Sequence, residues 1–112
     1  MPGGSALSYG NIKMSEIINV TLSPGIVIPS TTSEQTFTVP GLLIADQVTV
    51  SKPTIQAGIG IINARVSSAN TLAIGFMNLS TVTITPTASE LYTIEVNRPD
   101  WVTGQALPYA IV

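Results

Sequence analysis

Apolar and polar positions alternate along most of this chain, and the alternation stops at turn residues. Ile18, Val20 and Leu22 are separated by Asn19 and Thr21, and Ser23-Pro24-Gly25 turns the chain. Ile26-Val27-Ile28 reads as a short strand closed by Pro29. Thr36-Phe37-Thr38-Val39 alternates again and stops at Pro40-Gly41, and Gln47-Val48-Thr49-Val50-Ser51 runs to Lys52-Pro53. Residues 59–66 predict another strand, whose faces are hard to tell apart because Ile59 and Ile61 compete with Ile62, Ala64 and Val66. Ser67-Ser68-Ala69-Asn70 predicts a hairpin connection, with Asn70 able to take a left-handed conformation. The following strand sets Leu72, Ile74 and Phe76 on one face. Thr81-Val82-Thr83-Ile84-Thr85 ends at Pro86, and residues 91–98 place Tyr92, Ile94 and Val96 inward against Thr93, Glu95 and Asn97. Only residues 15–22 admit a helical reading at all.

Period-2 segments separated by Gly and Pro predict an all-β fold of about seven to eight short strands, as in a sandwich or barrel. The connections 39–47 and 52–58 are too long for simple hairpins and suit crossings between two sheets. The expected architecture is therefore a two-sheet β-sandwich, jelly-roll or immunoglobulin-like, with extended N- and C-terminal arms. Its domain spans residues 15–98, between an arm at 1–14 and a tail at 99–112. Composition agrees: fourteen Ile, ten Val and fourteen Thr supply the β-branched side chains that pack on pleated surfaces.

Charge changes the picture more. Only 9% of residues are charged while 45% are hydrophobic, against about 25% charged in an average soluble domain. A lone monomer with so few charges has little to oppose self-association, so much of the surface is expected to meet other protein. The arm carries Leu7, Tyr9 and Ile12 among glycines and serines, either as a frayed end or as a docking segment. The tail carries Trp101, Leu107, Tyr109 and Ile111. Trp101 either caps the open end of the sandwich or packs on a partner, where Trp and Tyr are enriched.

The chain offers little for catalysis. It has no cysteine and no histidine, which removes thiolate metal sites, the commonest general base and the commonest metal ligand. Six carboxylates, Glu16, Glu34, Asp46, Glu90, Glu95 and Asp100, show no paired spacing. Asp46 is placed to cap a turn. Lys13, Lys52, Arg65 and Arg98 are too scattered for a nucleic-acid footprint, and no apolar run approaches the roughly 20 residues of a membrane helix. Gly58-Ile59-Gly60 lacks the third glycine and the helix of a dinucleotide site, so a bulge or close packing is expected there. Two Asn-x-Ser/Thr sites, at Asn19 and Asn78, fall on predicted strands and read as accidental. Arg65 is expected either at a subunit contact, paired with Glu90 or Glu95, or at an exposed strand position. No enzyme activity, cofactor or metal is expected.

One order of residues is distinctive: Gly41-Leu42, Asp46-x-Val48-x-Val50, Pro53, Gly58, then residues 64–72, Phe76-x-Asn78-x-Ser80, Pro86, Glu90-x-Tyr92 and Arg98. This order resembles small structural proteins of tailed bacteriophages, the capsid decoration (cement) proteins and related virion components. The resemblance implies a β-sandwich on the outer surface of an icosahedral head, assembled in the host cytoplasm. It implies binding to the major capsid protein, commonly as a homotrimer, and brings no catalytic residues. The other readings are a head-fibre or tail-associated module, and a carbohydrate-binding or adhesin sandwich, which needs exposed aromatics on one face.

Overall fold

The computed structural model describes residues 12–99, and the alternating segments become six strands. These are β1 (Ile12–Leu22), β2 (Thr31–Thr38), β3 (Gln47–Ser51), β4 (Ile59–Ser68), β5 (Thr71–Asn78) and β6 (Glu90–Pro99), with no helix among the described residues. One sheet has the order β1-β6-β3 and the other β2-β5-β4. Every pairing is antiparallel. The long connections after β2 and after β3 both change sheets, as their lengths predict. Only β4 and β5 form a hairpin, through the two residues Ala69 and Asn70, with Asn70 at a φ of 62°.

Strand number is the main correction. Residues 26–28 and 81–85 are not ladder strands; they meet at a single bridge between Val27 and Ile84. Pro24, Pro29 and Pro86 flank the two segments and supply no N–H to extend the pairing. Conversely, β2 begins at Thr31, five residues before the predicted strand. Its inward positions Thr31, Ser33 and Gln35 are polar, so hydrophobic alternation does not mark them. β1 begins at Ile12, so the last three residues of the expected arm are strand.

The two sheets enclose one core, consistent with a β-sandwich. Tyr92, Ile94 and Val96 of β6 face Leu72, Ile74 and Phe76 of β5, with Leu22, Val27, Val39, Leu42 and Val66 closing the perimeter. These are the inward faces predicted for both strands. β5 is also buried on its outer side, where Ala73 and Gly75 lie beneath neighbouring side chains. A Cβ at Gly75 would stand 3.3 Å from the Ile62 side chain, so the strand centre has room for nothing larger. The ambiguity of β4 has a physical origin. Its register with β5 shifts between Ile61 and Asn63, making Ile62 an extra residue in a bulge. Ile59 and Ile61 face inward before the bulge and Ala64 and Val66 after it, so both parities are apolar.

Because six strands alternate in direction, the connections sort to two ends. Those after β1, β3 and β5 share one end. Those after β2 and β4 share the other, where Ile12 and Pro99 are register partners and the two ends of the described chain leave side by side. The central packing of Phe76, fully buried, predicts that Phe76→Ala lowers unfolding free energy by about 3–5 kcal/mol in chemical denaturation. A loss under about 1 kcal/mol would contradict this placement.

Candidate functional site

The end formed by residues 23–30, 52–58 and 79–89 is held by one buried amide. Asn78, the last residue of β5, has no exposed surface. Its Nδ2 donates to the carbonyls of Val27 and Val82, each at 2.8 Å. Its Oδ1 accepts from Ser80 N–H at 2.8 Å and from the Ser80 hydroxyl at 2.7 Å. All four hydrogen-bonding positions of an Asn side chain are engaged. A glycan on this nitrogen would remove one of the two donated bonds and has no room at a position without exposed surface, which agrees with reading that sequence motif as accidental.

The third connection is tied in by backbone: Leu79 N–H donates to the Gly58 carbonyl at 2.7 Å. Gly58 has a φ of +85°, and a Cβ there would lie 3.1 Å from Ser80 Cβ and 3.2 Å from Ile84 Cδ1. Both conformation and space require glycine. Gln56 spans to the Thr85 carbonyl and the Thr87 N–H, and the Ser23 hydroxyl accepts from Ser89 N–H.

On this fixed frame the aliphatic side chains point outward. Ile26, Ile28, Leu79 and Val82 are each more than half exposed, and Ile55 is 96% exposed. Beside Ile55 an open groove of about 610 Å³ runs where the sheets part, lined by Val50, Lys52, Ile59 and Ile61 among others. Among the described residues, the only charged ones at this end are Lys52 and Glu90. They face each other at 2.8 Å with side chains only 10% and 11% exposed. Thr54 completes the group, accepting from Lys52 at 2.9 Å and donating to Glu90 Oε2 at 2.5 Å. The Lys52 contact, then the Thr54 hydroxyl, hold the Glu90 carboxyl below its ordinary range. The neighbouring Tyr92 phenol is pushed up to about 12 by burial and then by the Glu90 charge, so it stays neutral. The result is an end surface that is aliphatic and almost free of accessible charge.

The opposite end is built from polar capping. Asp46 is buried and accepts from Leu43 N–H at 2.9 Å, the turn cap expected of it. Arg98 Nε and Nη2 bond its two oxygens at 2.8 and 2.9 Å, and Nη2 also reaches the Gly41 carbonyl at 2.7 Å. Arg98 is the main cause holding the Asp46 carboxyl below its usual range. Asn70 Oδ1 accepts from Gly41 N–H at 2.8 Å, so the hairpin residue also clamps the loop after β2.

Arg65 does not meet Glu90 or Glu95. Its guanidinium makes a bidentate pair with Glu34 of β2, at 2.8 and 2.9 Å. The two side chains reach across β5, where Ala73 and Gly75 leave space. Glu90 and Glu95 belong to the other sheet, and Glu90 already holds Lys52. Both partners are substantially exposed, so this pair adds little stability. Of the other predicted contact residues, Ile12 is half-exposed at the start of β1. Leu7, Tyr9, Trp101, Leu107, Tyr109 and Ile111 lie outside the described residues.

The aliphatic end is the site that sequence reasoning missed. Ile26, Ile28 and Val82 read as strand residues, whereas a lone bridge leaves their side chains outside. One signal was present: residues 66–89 contain no charge at all. The residues that carry the phage resemblance are largely framework. Leu42, Phe76, Pro86 and Tyr92 are buried, and Asp46, Asn70, Asn78, Glu90 and Arg98 make the capping bonds. No group of three or more His, Cys, Asp or Glu is placed to hold a metal among the described residues. No protein family, curated protein or solved structure matches the chain.

Two expectations follow from these bonds. Asn78→Asp keeps the shape but turns two donors into acceptors facing carbonyls, and should cost about 2–4 kcal/mol in urea unfolding at neutral pH. The carboxyls of Glu34, Asp46 and Glu90 titrate lower folded than unfolded. Their contribution is therefore complete above the unfolded value, roughly 4, and is lost as pH falls through the folded values. The urea midpoint should be flat near neutrality and drop below about pH 4. Asp46→Asn should lower the neutral plateau and shallow the acid drop; parallel curves would refute the assignment.

Proposed function

We propose that this chain is a structural virion protein, a decoration (cement) protein of a tailed-bacteriophage head. It seats its aliphatic end on the major capsid protein and stabilises contacts between capsid subunits. The single observation that carries the docking role is that end: five exposed aliphatic side chains on a rigid hydrogen-bonded frame, with Lys52 and Glu90 spent on each other. Interface cores are depleted of charge in the same way. A rigid frame also lowers the ordering cost of binding. The resemblance supplies the class of partner.

The fold supports the same reading. The order β1-β6-β3 facing β2-β5-β4 is that of a jelly roll short of one hairpin, and we read the sandwich as that type. No catalytic role is proposed, because the shifted carboxyls move away from the range of a general acid at neutral pH. A carbohydrate-binding role has no aromatic platform among the described residues: Phe76 and Tyr92 are buried and Phe37 packs on the core.

The test is co-sedimentation with heads lacking this protein. Ile28→Asp combined with Leu79→Asp should weaken capsid binding by about tenfold or more while the circular-dichroism melt is unchanged. Full binding by the double variant would remove the docking surface. Mass spectrometry of purified virions should find copy numbers comparable with the major capsid protein. A few copies per particle would instead mark a head-fibre or tail component.

A further inference from the structure

The molecule has four sheet edges, and they are not equally protected. β3 is only five residues long and lies beside β4. β4 is interrupted by two register shifts and carries Arg65. β2 carries Glu34, and its Gln35 side chain is committed to both backbone groups of Gly25. β1 differs from all three. It runs eleven residues, contains no proline, and pairs in unbroken register with β6 from Met14 to Leu22. Its charges, Lys13 and Glu16, lie in the first half.

Among the described residues, no strand pairs with the outer edge of β1. Among the described residues its hydrogen bonds all go to β6, including Ser15 to Asn97 and Thr93 to Asn19. In an antiparallel ladder alternate residues turn N–H and C=O away from the partner, so β1 presents a row of unused donors and acceptors. Proteins ordinarily blunt such an edge by shortness, bulges, proline or inward charges. This one has a register shift at Ile12/Met14 and one charge on its inward face, Glu16 opposite Val96; from Ile17 to Leu22 it carries no bulge, proline or charge. At its midpoint stands Ile17, 67% exposed on the outer face.

We infer that β1 pairs antiparallel with β1 of a second copy about a two-fold axis through Ile17, joining two three-stranded sheets into one of six strands. The strand is self-complementary in this register. Ile17 meets Ile17 of the second copy, Ser15 meets Asn19, Glu16 meets Ile18, Met14 meets Val20 and Lys13 meets Thr21. Each pair joins residues of the same face, so the inner and outer surfaces both continue across the axis. Like charges never oppose each other. An axis through Glu16 would set two carboxylates face to face, which is unfavourable. An axis between residues would place inward positions against outward ones. An axis through Ile18 would leave the start of the strand unpaired and set Ile17 against Asn19. The contact uses a different surface from the aliphatic end and does not depend on the capsid reading.

Because the chain has no cysteine, a single introduced thiol reports one position. Directly opposed antiparallel residues have Cα atoms about 4.5–5.5 Å apart, within the roughly 4.4–6.8 Å span of a disulfide. Oxidised full-length Ile17→Cys should run as a covalent dimer, and mixed Ser15→Cys and Asn19→Cys should form the heterodisulfide. Thr36→Cys on β2 is the control. Wild-type protein should sediment as a dimer, and Ile17→Lys should raise its dissociation constant about tenfold or more. Circular dichroism should be unchanged, since Ile17 is exposed. A wild-type monomer, a closed trimer, or crosslinking at Ile17 no faster than at Thr36 would overturn the assignment.

Discussion

The side-chain amide of Asn78 is the interaction on which one whole end of this molecule depends. Two sheets of three strands are too narrow to seal a core by themselves, so the connections must close it. Three separate connections converge there with almost no ladder to fix them, since Val27 and Ile84 share only a bridge. Asn78 supplies two donors and accepts two bonds from a position with no solvent. In that setting each bond is electrostatically stronger than in water, and each missing one would be costly. The core reaches the same point from inside, because Phe76 lies two residues earlier on the same face of β5. Rigid loops and a packed centre are thus one construction.

The two ends then solve the problem of backbone polarity differently. Around Arg98 the loop carbonyl of Gly41 and the carboxylate of Asp46 are satisfied by a cation. Around Asn78 the same work is done by neutral groups, and the remaining cation and anion are turned onto each other. Aliphatic side chains can then cover the outside without interruption by solvated charge. The asymmetry lies in which residues do the capping, an ion pair at one end and a neutral amide at the other; Leu43 and Ile44 leave some aliphatic surface exposed at the Arg98 end as well.

Much of the fold was legible because period-2 alternation is strict wherever one face is buried. β3 and β6 show it plainly, β1 only from Ile18 to Leu22, and the lengths of 39–47 and 52–58 revealed the sheet changes. What stayed hidden has identifiable causes. The bulge at Ile62 made both faces of β4 apolar. The polar inward side of Thr31, Ser33 and Gln35 concealed half of β2. Two predicted strands, residues 26–28 and 81–85, failed to form because prolines removed the donors a ladder requires. The partner of Arg65 depended on two small residues in an intervening strand, a relation invisible before the sheet order is known. The aliphatic end was disguised as core for the same reason: exposure of Ile28 and Val82 is decided by what fails to pair with them.

The adjacency of Ile12 and Pro99 has a mechanical meaning. Tension applied at these two residues would peel β1 from β6 one rung at a time, starting at the loaded end. A load entering through the far loops and leaving along the strands would instead strain many rungs together. Residues 12–99 are therefore more compliant to a pull at Ile12 and Pro99 than to one along the strands, a directional resistance set by topology.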